Sequence, residues 1–450
     1  MNDLSLFPSL AARLARPERI RLAKARIPVA LLADDVPVGA EVDRDGSARL
    51  DILIENGRIA RIAPALADHS NDTIALDDRH VWPLLIDAHA HLDKAHTVRR
   101  APGSGGTHPG ARAATTADRL AHWNADDLLR RMEFGLATAD AHGVAAIRTH
   151  LDSHEGQAEI TWSVFAEVRE RWKGSITLQA AGLVPLDVYR DDYGARLADI
   201  IANHGGLLGG VTRASGGTHG SGLDDIDLLL DRLFALAKER ELGVDLHVDE
   251  AAQADALPHV ARAAIRHSYE GRVTCGHCCS LALLSENELR DRISLLSDAG
   301  LSIVTLPTVN MYLQDRQDGR TPRWRGVTPV QELRAAGISV AAAGDNCRDP
   351  FFAYGDHDML DTWRQSVRIL HLDHPYADAV ALAGPAAAGI MGIDAGTIGV
   401  GRPADLMILE AWSLDQVIAR PHSDRVILRK GVFSNRTLPS YGMLADFPTA

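Results

Sequence analysis

The chain has 450 residues, 46% of them hydrophobic, and a formal net charge of −13. That apolar supply builds a large core, and the length exceeds one minimal domain but suits a βα barrel with an appendage. The acidic balance disfavours nucleic acid and anionic membrane surfaces as partners, and no stretch of about 18 uncharged apolar residues exists to span a bilayer.

The chain opens on a basic run: Arg13, Arg16, Arg19, Arg21, Lys24 and Arg26. A transit peptide or basic arm can begin this way, but Glu18 interrupts the run and no long apolar segment follows. Residues 1–27 therefore read as an N-terminal extension, partly helical. Pro28–Leu32 and Leu50–Pro64 read as short strands. Asn56-Gly57, between Asp51–Glu55 and Arg58–Ile62, is a hairpin signal.

From there strand and helix signals alternate. Eight apolar strand candidates follow in order: His80–Asp93, Val144–Asp152, Ile176–Pro185, Gly206–Ser215, Gly243–Glu250, Val273–Cys279, Leu301–Thr308 and Ser339–Asn346. Helical periodicity separates most of them, as in Asp126–His142, Glu159–Trp172, Asp224–Glu241, Ala251–His267 and Glu286–Ala299. Eight such units predict an α/β fold of the (β/α)8 TIM-barrel type. Asp394–Asn435 then returns to short strands and turns, which should pair with the early strands into one small β-sandwich domain. The expected division is 1–74 for the extension and first half of the β domain, 75–393 for the barrel, and 394–450 for the second half and tail.

The first barrel strand ends Asp87-Ala-His-Ala-His-Leu-Asp93. Strand side chains alternate faces, so His89 and His91 aim into one space. Polar groups again follow apolar runs in His247-Val-Asp-Glu250 on strand five, Cys275-Gly-His277 on strand six and Gly344-Asp-Asn346 on strand eight. The C-terminal strand ends are where such barrels carry their active sites. Neutral imidazoles with one carboxylate suit Zn²⁺ or Fe²⁺. Three His and one Asp leave a position for water, whose pKa the ion would bring from about 15.7 towards about 7. Glu250 is placed to carry a proton from that water to a ring nitrogen or leaving amine. His277 would orient the water or hold a developing oxyanion. His150 and Asp152 alternate at the end of strand two and would support the ligands from behind.

Cys275, Cys278, Cys279 and Cys347 make a poor disulfide framework, which favours a reduced, cytoplasmic setting. Cys275-x-x-Cys278 has no second pair and sits in a strand pattern, so it reads as core. Two Gly-rich loops stand out, Arg99–Arg112 and Gly216–Gly222. The first has neither the Lys-Ser/Thr of a phosphate loop nor an evident helix start, and lid and plain connection are equally good readings of it.

Taken jointly, Asp87-Ala-His-Ala-His-Leu-Asp93, Arg148-Thr-His-Leu-Asp152, Asp245-Leu-His-Val-Asp-Glu250, the His277 strand, Gly344-Asp-Asn-Cys-Arg-Asp-Pro-Phe351 with Tyr354-Gly355, and Gly396-Thr-Ile-Gly-Val-Gly401 with Ala404-Asp405-Leu406 resemble the cytosine deaminase family of the amidohydrolase superfamily. The resemblance runs from about residue 50 to 435 and extends to the N-isopropylammelide amidohydrolases. By position it implies His89, His91, His247 and Asp345 as ligands of one divalent ion per subunit, Zn²⁺ or Fe²⁺. It implies Glu250 as proton shuttle, with His277 and Asp345 activating water, and Phe351 as an aromatic over the substrate ring. Relatives of this fold are commonly homo-oligomers. Three positions depart from the cytosine deaminases. An apolar residue near Leu183 stands where they carry a Gln, with Gln179 displaced. Lys94 follows Leu92-Asp93, where they have a small polar residue. Asn346 replaces a second Asp. Lys94 and Asn346 match the s-triazine branch.

The expected function is metal-dependent hydrolytic deamination of a small amino-substituted N-heterocycle (cytosine or a related pyrimidine, triazine or pterin) with release of ammonia. The same machinery would serve a hydrolase of an N-alkylamino triazine or a cyclic amide. A non-catalytic small-molecule-binding barrel is the third reading, and retention of His89, His91, His247, Glu250, His277 and Asp345 speaks against it.

Overall fold

The computed structural model describes residues 14, 18–65, 72–101, 105–217, 223–374, 376, 378–420, 425–435 and 437–445. As far as they are described, they fall into two compact units. One comprises Met1–Ile86, Ala139–Ala145 and Asp358–Leu438, the other Asp87–Thr138, Ala146–His357 and Pro439–Ala450.

Among the described residues the first element of this unit is a strand, β1 (Arg19–Pro28), in the latter part of the 1–27 segment expected as a partly helical extension; residues 1–13 and 15–17 of that segment lie outside the described residues. Ile20, Leu22, Ala25 and Ile27 are buried, while Arg19, Arg21, Lys24 and Arg26 lie on the more exposed side. The alternation is that of a half-buried strand. Of the basic residues that suggested an arm, Arg19, Arg21, Lys24 and Arg26 form its outer face while Arg13 and Arg16 lie outside the described residues, and Arg21 pairs with Asp51 across to β2 (Ser47–Glu55) at 2.5 Å. Val29–Leu31 forms a 3-10 turn where a strand was expected. The β2–β3 hairpin (β3, Arg58–Pro64) is present, with Asn56 at φ 49° and Gly57 at φ 78°. Two consecutive positive φ values match the twist of a tight hairpin. A short β4 (Thr73–Ala75) runs parallel to β1, giving the order β3-β2-β1-β4. β5 (Val81–Pro83) leads into the second unit's first strand.

That strand is β6 (Leu85–Ala90), followed by β7 (Val144–Asp152) and β8 (Thr177–Leu183) in one sheet of order β6-β7-β8. A second sheet holds β9 (Leu208–Val211), β10 (Val244–Val248), β11 (Val273–His277), β12 (Ser302–Thr305) and β13 (Val340–Ala342), consecutive strands adjacent and parallel. Their residues are almost all buried, as expected when both faces are covered. Isolated parallel bridges join Ala181 to Leu207 and Ala90 to Asp345. Between the strands run α1 (His108–His122), α2 (Ala125–His142), α3 (Ala158–Arg171), α4 (Asp192–Asn203), α5 (Ile226–Glu239), α6 (Leu257–His267) and α7 (Glu286–Asp298).

α1 was not foreseen. Its signal is Thr107-His108-Pro109: the Thr107 hydroxyl accepts the Gly110 N–H, and a proline in the first turn gives up no needed donor. α6 begins at Leu257 rather than Ala251, because the Asp249 carboxylate accepts the backbone N–H groups of Ala256 and Leu257 and fixes the start there. Residues 102–104 and 218–222 of the two Gly-rich loops lie outside the described residues.

Back in the first unit, β14 (Leu406–Leu409) pairs antiparallel with β5 and with β15 (Arg425–Arg429), and β16 (Val432–Phe433) closes the order β16-β15-β14-β5. Early and late segments of the chain thus share a sheet. The two sheets of this unit share one apolar core, with Leu22, Ile52 and Ile54 from the first and Leu406, Ile408 and Leu428 from the second. Among the described residues no helix is long and apolar enough to cross a membrane, and all four cysteines are buried free thiols.

Candidate active site

The strand ends of the second unit converge on one buried cluster. His89 Nε2 lies 3.2 Å from His247 Nε2, which lies 3.3 Å from His91 Nε2. Asp345 Oδ1 is 3.1 Å from His91 Nε2 and 3.7 Å from His89 Nε2. Yet neither Asp345 oxygen makes a hydrogen bond of acceptable geometry. The donors face a common point rather than one another. Two imidazole nitrogens on a tetrahedral zinc with ~2.05 Å bonds sit ~3.3 Å apart, so this set fits a divalent ion. Burial, and after it the neighbouring histidines, hold His89 and His247 well below the usual imidazole range, which keeps them neutral as ligands must be. Burial acts likewise on His91, followed by the Lys94 charge. Asp345 is pushed well above the carboxylate range by burial first and Glu250 next, an environment that a cation would offset.

The cluster is set by backbone contacts. The Asp345 N–H donates to the His89 carbonyl at 2.8 Å, locking the segment after β13 against the end of β6. Asp87 Oδ1 accepts the Gly344 N–H at 3.0 Å, and a Cβ on residue 344 would meet Asp87 Oδ2 at 2.8 Å. A Cβ on residue 276 would lie 2.7 Å from His89 Cε1. Both glycines are therefore clearance for the site, a role that only the tertiary contacts expose. His91 Nδ1 faces the His150 carbonyl at 3.3 Å. That contact favours the tautomer with a proton on Nδ1 and a lone pair on Nε2. His150 thus supports through its backbone, while its ring lies tilted by 34° against His89 with centroids 3.9 Å apart and its Nε2 lies 3.1 Å from Asp245 Oδ1. Arg148 holds the other Asp245 oxygen at 2.9 Å and also grips Gln179 Oε1. Gln179 is consequently committed inside the fold, and Leu183 lines the cavity instead.

Beside the cluster, His277 Nε2 lies 3.9 Å from Glu250 Oε2. His277 Nδ1 is oriented by Asn310 Oδ1 at 2.9 Å, and Thr328 holds the His277 carbonyl at 2.7 Å. His277 adopts φ 70° and Asp345 φ 62°, conformations that a non-glycine residue holds only where its surroundings impose them. The Gln314 side chain donates to the Glu250 carbonyl. His108, from the first turn of α1, reaches Glu250 Oε2 at 3.3 Å.

Above these groups opens a cavity of about 790 Å³. Lys94, Leu183, Phe351, Asp152 and Asn346 all line it with His91, His247 and Asp345. Lys94 Nζ donates to Asp152 at 2.9 Å and lies 5.4 Å from the Phe351 ring centre. Burial opposes the Lys94 charge, but Asp152, Asp93 and Asp349 outweigh it and raise the ammonium's pKa. Asn346 donates to Asp349 Oδ2 at 2.7 Å and so positions the turn that carries Phe351. His108, Arg112, Arg119, His154 and Arg213 also line the cavity and were not foreseen. For the residues of α1 the Thr-His-Pro start was the available signal; Arg213 follows β9 as an ordinary-looking polar residue.

The matching family model is the amidohydrolase family, over residues 223–438. The chain is 47% identical over 402 residues to the pterin deaminase of Rhizobium rhizogenes, covering 88% of this chain and 90% of that protein. It is 26% identical over 392 residues to the N-isopropylammelide isopropyl amidohydrolase of a Pseudomonas species, covering 85% and 92%. Its fold matches the 5-methylcytosine deaminase of Klebsiella pneumoniae with a TM-score of 0.77 at 22% identity, over 93% of this chain and 98% of that one. The fold and sequence define a hydrolase acting on C–N bonds other than peptide bonds. The chain belongs to the amidohydrolase family.

Proposed function

We propose that this protein is a metal-dependent hydrolytic deaminase of an amino-substituted N-heterocycle, with a 2-aminopteridine of the pterin type as its substrate class. The observation that carries the chemistry is the convergence of His89, His91, His247 and Asp345 on one point, with Glu250 and His277 beside it at the floor of the cavity. The pterin deaminase relative at 47% identity supports the substrate class, and the cavity's volume admits a two-ring heterocycle. The two parallel sheets, with the bridges Ala181–Leu207 and Ala90–Asp345, support a closed (β/α)8 barrel. The shared core of the two sheets of the first unit supports a β-sandwich there. Four unpaired thiols suit a reducing cytoplasm.

His89, His91, His247 and Asp345 would hold one Zn²⁺ or Fe²⁺. The bound ion supplies Lewis acidity that makes water nucleophilic near neutral pH. Glu250 accepts a proton from the attacking water, delivers one to the ring nitrogen and then assists proton transfer to the departing amino group. The balance is heterocycle–NH2 plus water giving the oxo-heterocycle plus ammonia. His277, whose Nδ1–H is held by Asn310 Oδ1, presents an unprotonated Nε2 that accepts a hydrogen bond from the attacking water and orients it. Phe351 covers the ring, and Lys94 with Asp152 presents a charged edge to it. The test is ammonia release by Zn²⁺- or Fe²⁺-loaded protein from pterin, cytosine and N-isopropylammelide, with Glu250→Gln as control. Glu250→Gln should lose about 10²- to 10⁴-fold in kcat while still binding the ion. Release of isopropylamine from the ammelide, with no ammonia from pterin, would replace this reading with the alkylamine one.

A further inference from the structure

A second group of metal-type donors lies outside the cavity. His96, Cys347 and His357 are buried, and one nitrogen from each histidine and the sulfur lie within 4.8 Å of one another. His96 Nε2 and His357 Nε2 are 3.1 Å apart, close to the 3.2 and 3.3 Å spacings at the catalytic cluster. His96 Nδ1 is buried without a hydrogen-bond partner. None of the three residues lines the catalytic cavity.

The surroundings are built around the rings. Gly135 stands in the interior of α2, where glycine is unfavourable relative to alanine, and a Cβ there would come 3.0 Å from His357 Nε2. Phe134 stands edge-on to the His96 ring at 4.8 Å. The His96 N–H donates to the Cys347 carbonyl at 3.1 Å, tying the turn after β6 to the loop after β13. His96 and His357 hold φ values of 64° and 51°.

We propose that His96, Cys347 and His357 bind a second divalent ion of the zinc class, which clamps the loop carrying Asp345 and Phe351 to the turn carrying Lys94. Two imidazoles and one thiolate are a borderline-soft donor set that suits zinc and leaves a fourth position. The thiol gives its proton to solvent as the ion binds. The Arg131 and Arg348 charges near His96 oppose a bare cation, and the thiolate offsets part of that. The inference does not rest on the substrate assignment.

The test is a titration of the metal-free full chain with Co²⁺, followed by metal analysis of the Zn²⁺-loaded protein. The catalytic donors include no sulfur, so a near-ultraviolet thiolate-to-Co²⁺ band reports the second site alone. Wild type should bind two equivalents and show the band. Cys347→Ser should bind one equivalent and lose it, His96→Gln should lose it too, and His247→Ala should keep it. Absence of the band in wild type, whose folding is not in question, overturns the proposal and leaves a plain histidine–histidine hydrogen bond. Persistence of the band in Cys347→Ser overturns it as well, by assigning the sulfur to Cys275, Cys278 or Cys279. One equivalent with the band intact would keep this site and discard the catalytic ion instead.

Discussion

Gly276→Ala tests the proposed metal cluster through a residue outside the cavity lining. The Cβ added at 276 would lie 2.7 Å from His89 Cε1, 3.0 Å from His89 Nδ1 and 3.7 Å from the Leu246 carbonyl. Gly276 has no positive φ, so the backbone accepts alanine and the effect is steric alone. Carbon atoms in contact prefer about 3.5–4.0 Å, so His89 must retreat by about 1 Å. Its ring already lies against His150 with centroids 3.9 Å apart, and the retreat takes His89 Nε2 away from the point shared with His91, His247 and Asp345. Displacements of about 1 Å at a reacting centre lose about 10²-fold in rate, or about 2.7 kcal/mol of transition-state stabilisation. Disturbed support of a ligand loses about 10- to 100-fold in metal affinity, and overpacking lowers stability by about 1–3 kcal/mol. Zn²⁺ affinity by competition with a chromophoric chelator, kcat/KM on the deamination substrate and thermal melting read the three effects separately. A Gly276→Ala protein with wild-type Zn²⁺ affinity and wild-type kcat/KM would refute the assigned position of His89 and the clearance argument with it.

Asn310→Leu removes the acceptor of His277 Nδ1 at 2.9 Å; stability should fall by about 1–3 kcal/mol, and kcat should fall while KM holds, whereas an unchanged kcat would show that His277 needs no such orientation. Lys94→Met strips a buried pair, with side chains 5% and 11% exposed, of its cation; about 3–5 kcal/mol should be lost, and adding Asp152→Asn should restore much of the melting temperature, a double variant no better than the single one counting against the pairing. In the first unit, burial, then Arg26, depresses the His80 pKa from 6.5 to about 3. The unfolded chain therefore binds the extra proton below pH 6.5, and stability should fall between pH 6.5 and about 3, by up to about 1.4 kcal/mol per pH unit. His80→Gln should flatten that part of the pH–stability curve, and parallel curves for the two proteins would contradict the assignment.

The local periodicities were decisive for what the sequence by itself determined. Apolar runs ending in His89, His91, His247, His277 and Asp345 placed those residues at strand ends, because period-two alternation and chain order need no tertiary information. Asn56-Gly57 marked its hairpin for the same reason, since two positive φ values are a local demand. β1 escaped notice because its outer face is basic and its inner face contains two alanines. What only the tertiary structure decided is contact across distant segments. The Asp87–Gly344 bond, the clearance at Gly276 and the Asn310 grip on His277 join residues from different parts of the chain, and no short window of sequence contains both partners. The commitment of Gln179 to Arg148, and the arrival of His108 beside Glu250, are likewise set by how the strands and helices pack, because a side chain's partner depends on which element lies opposite it.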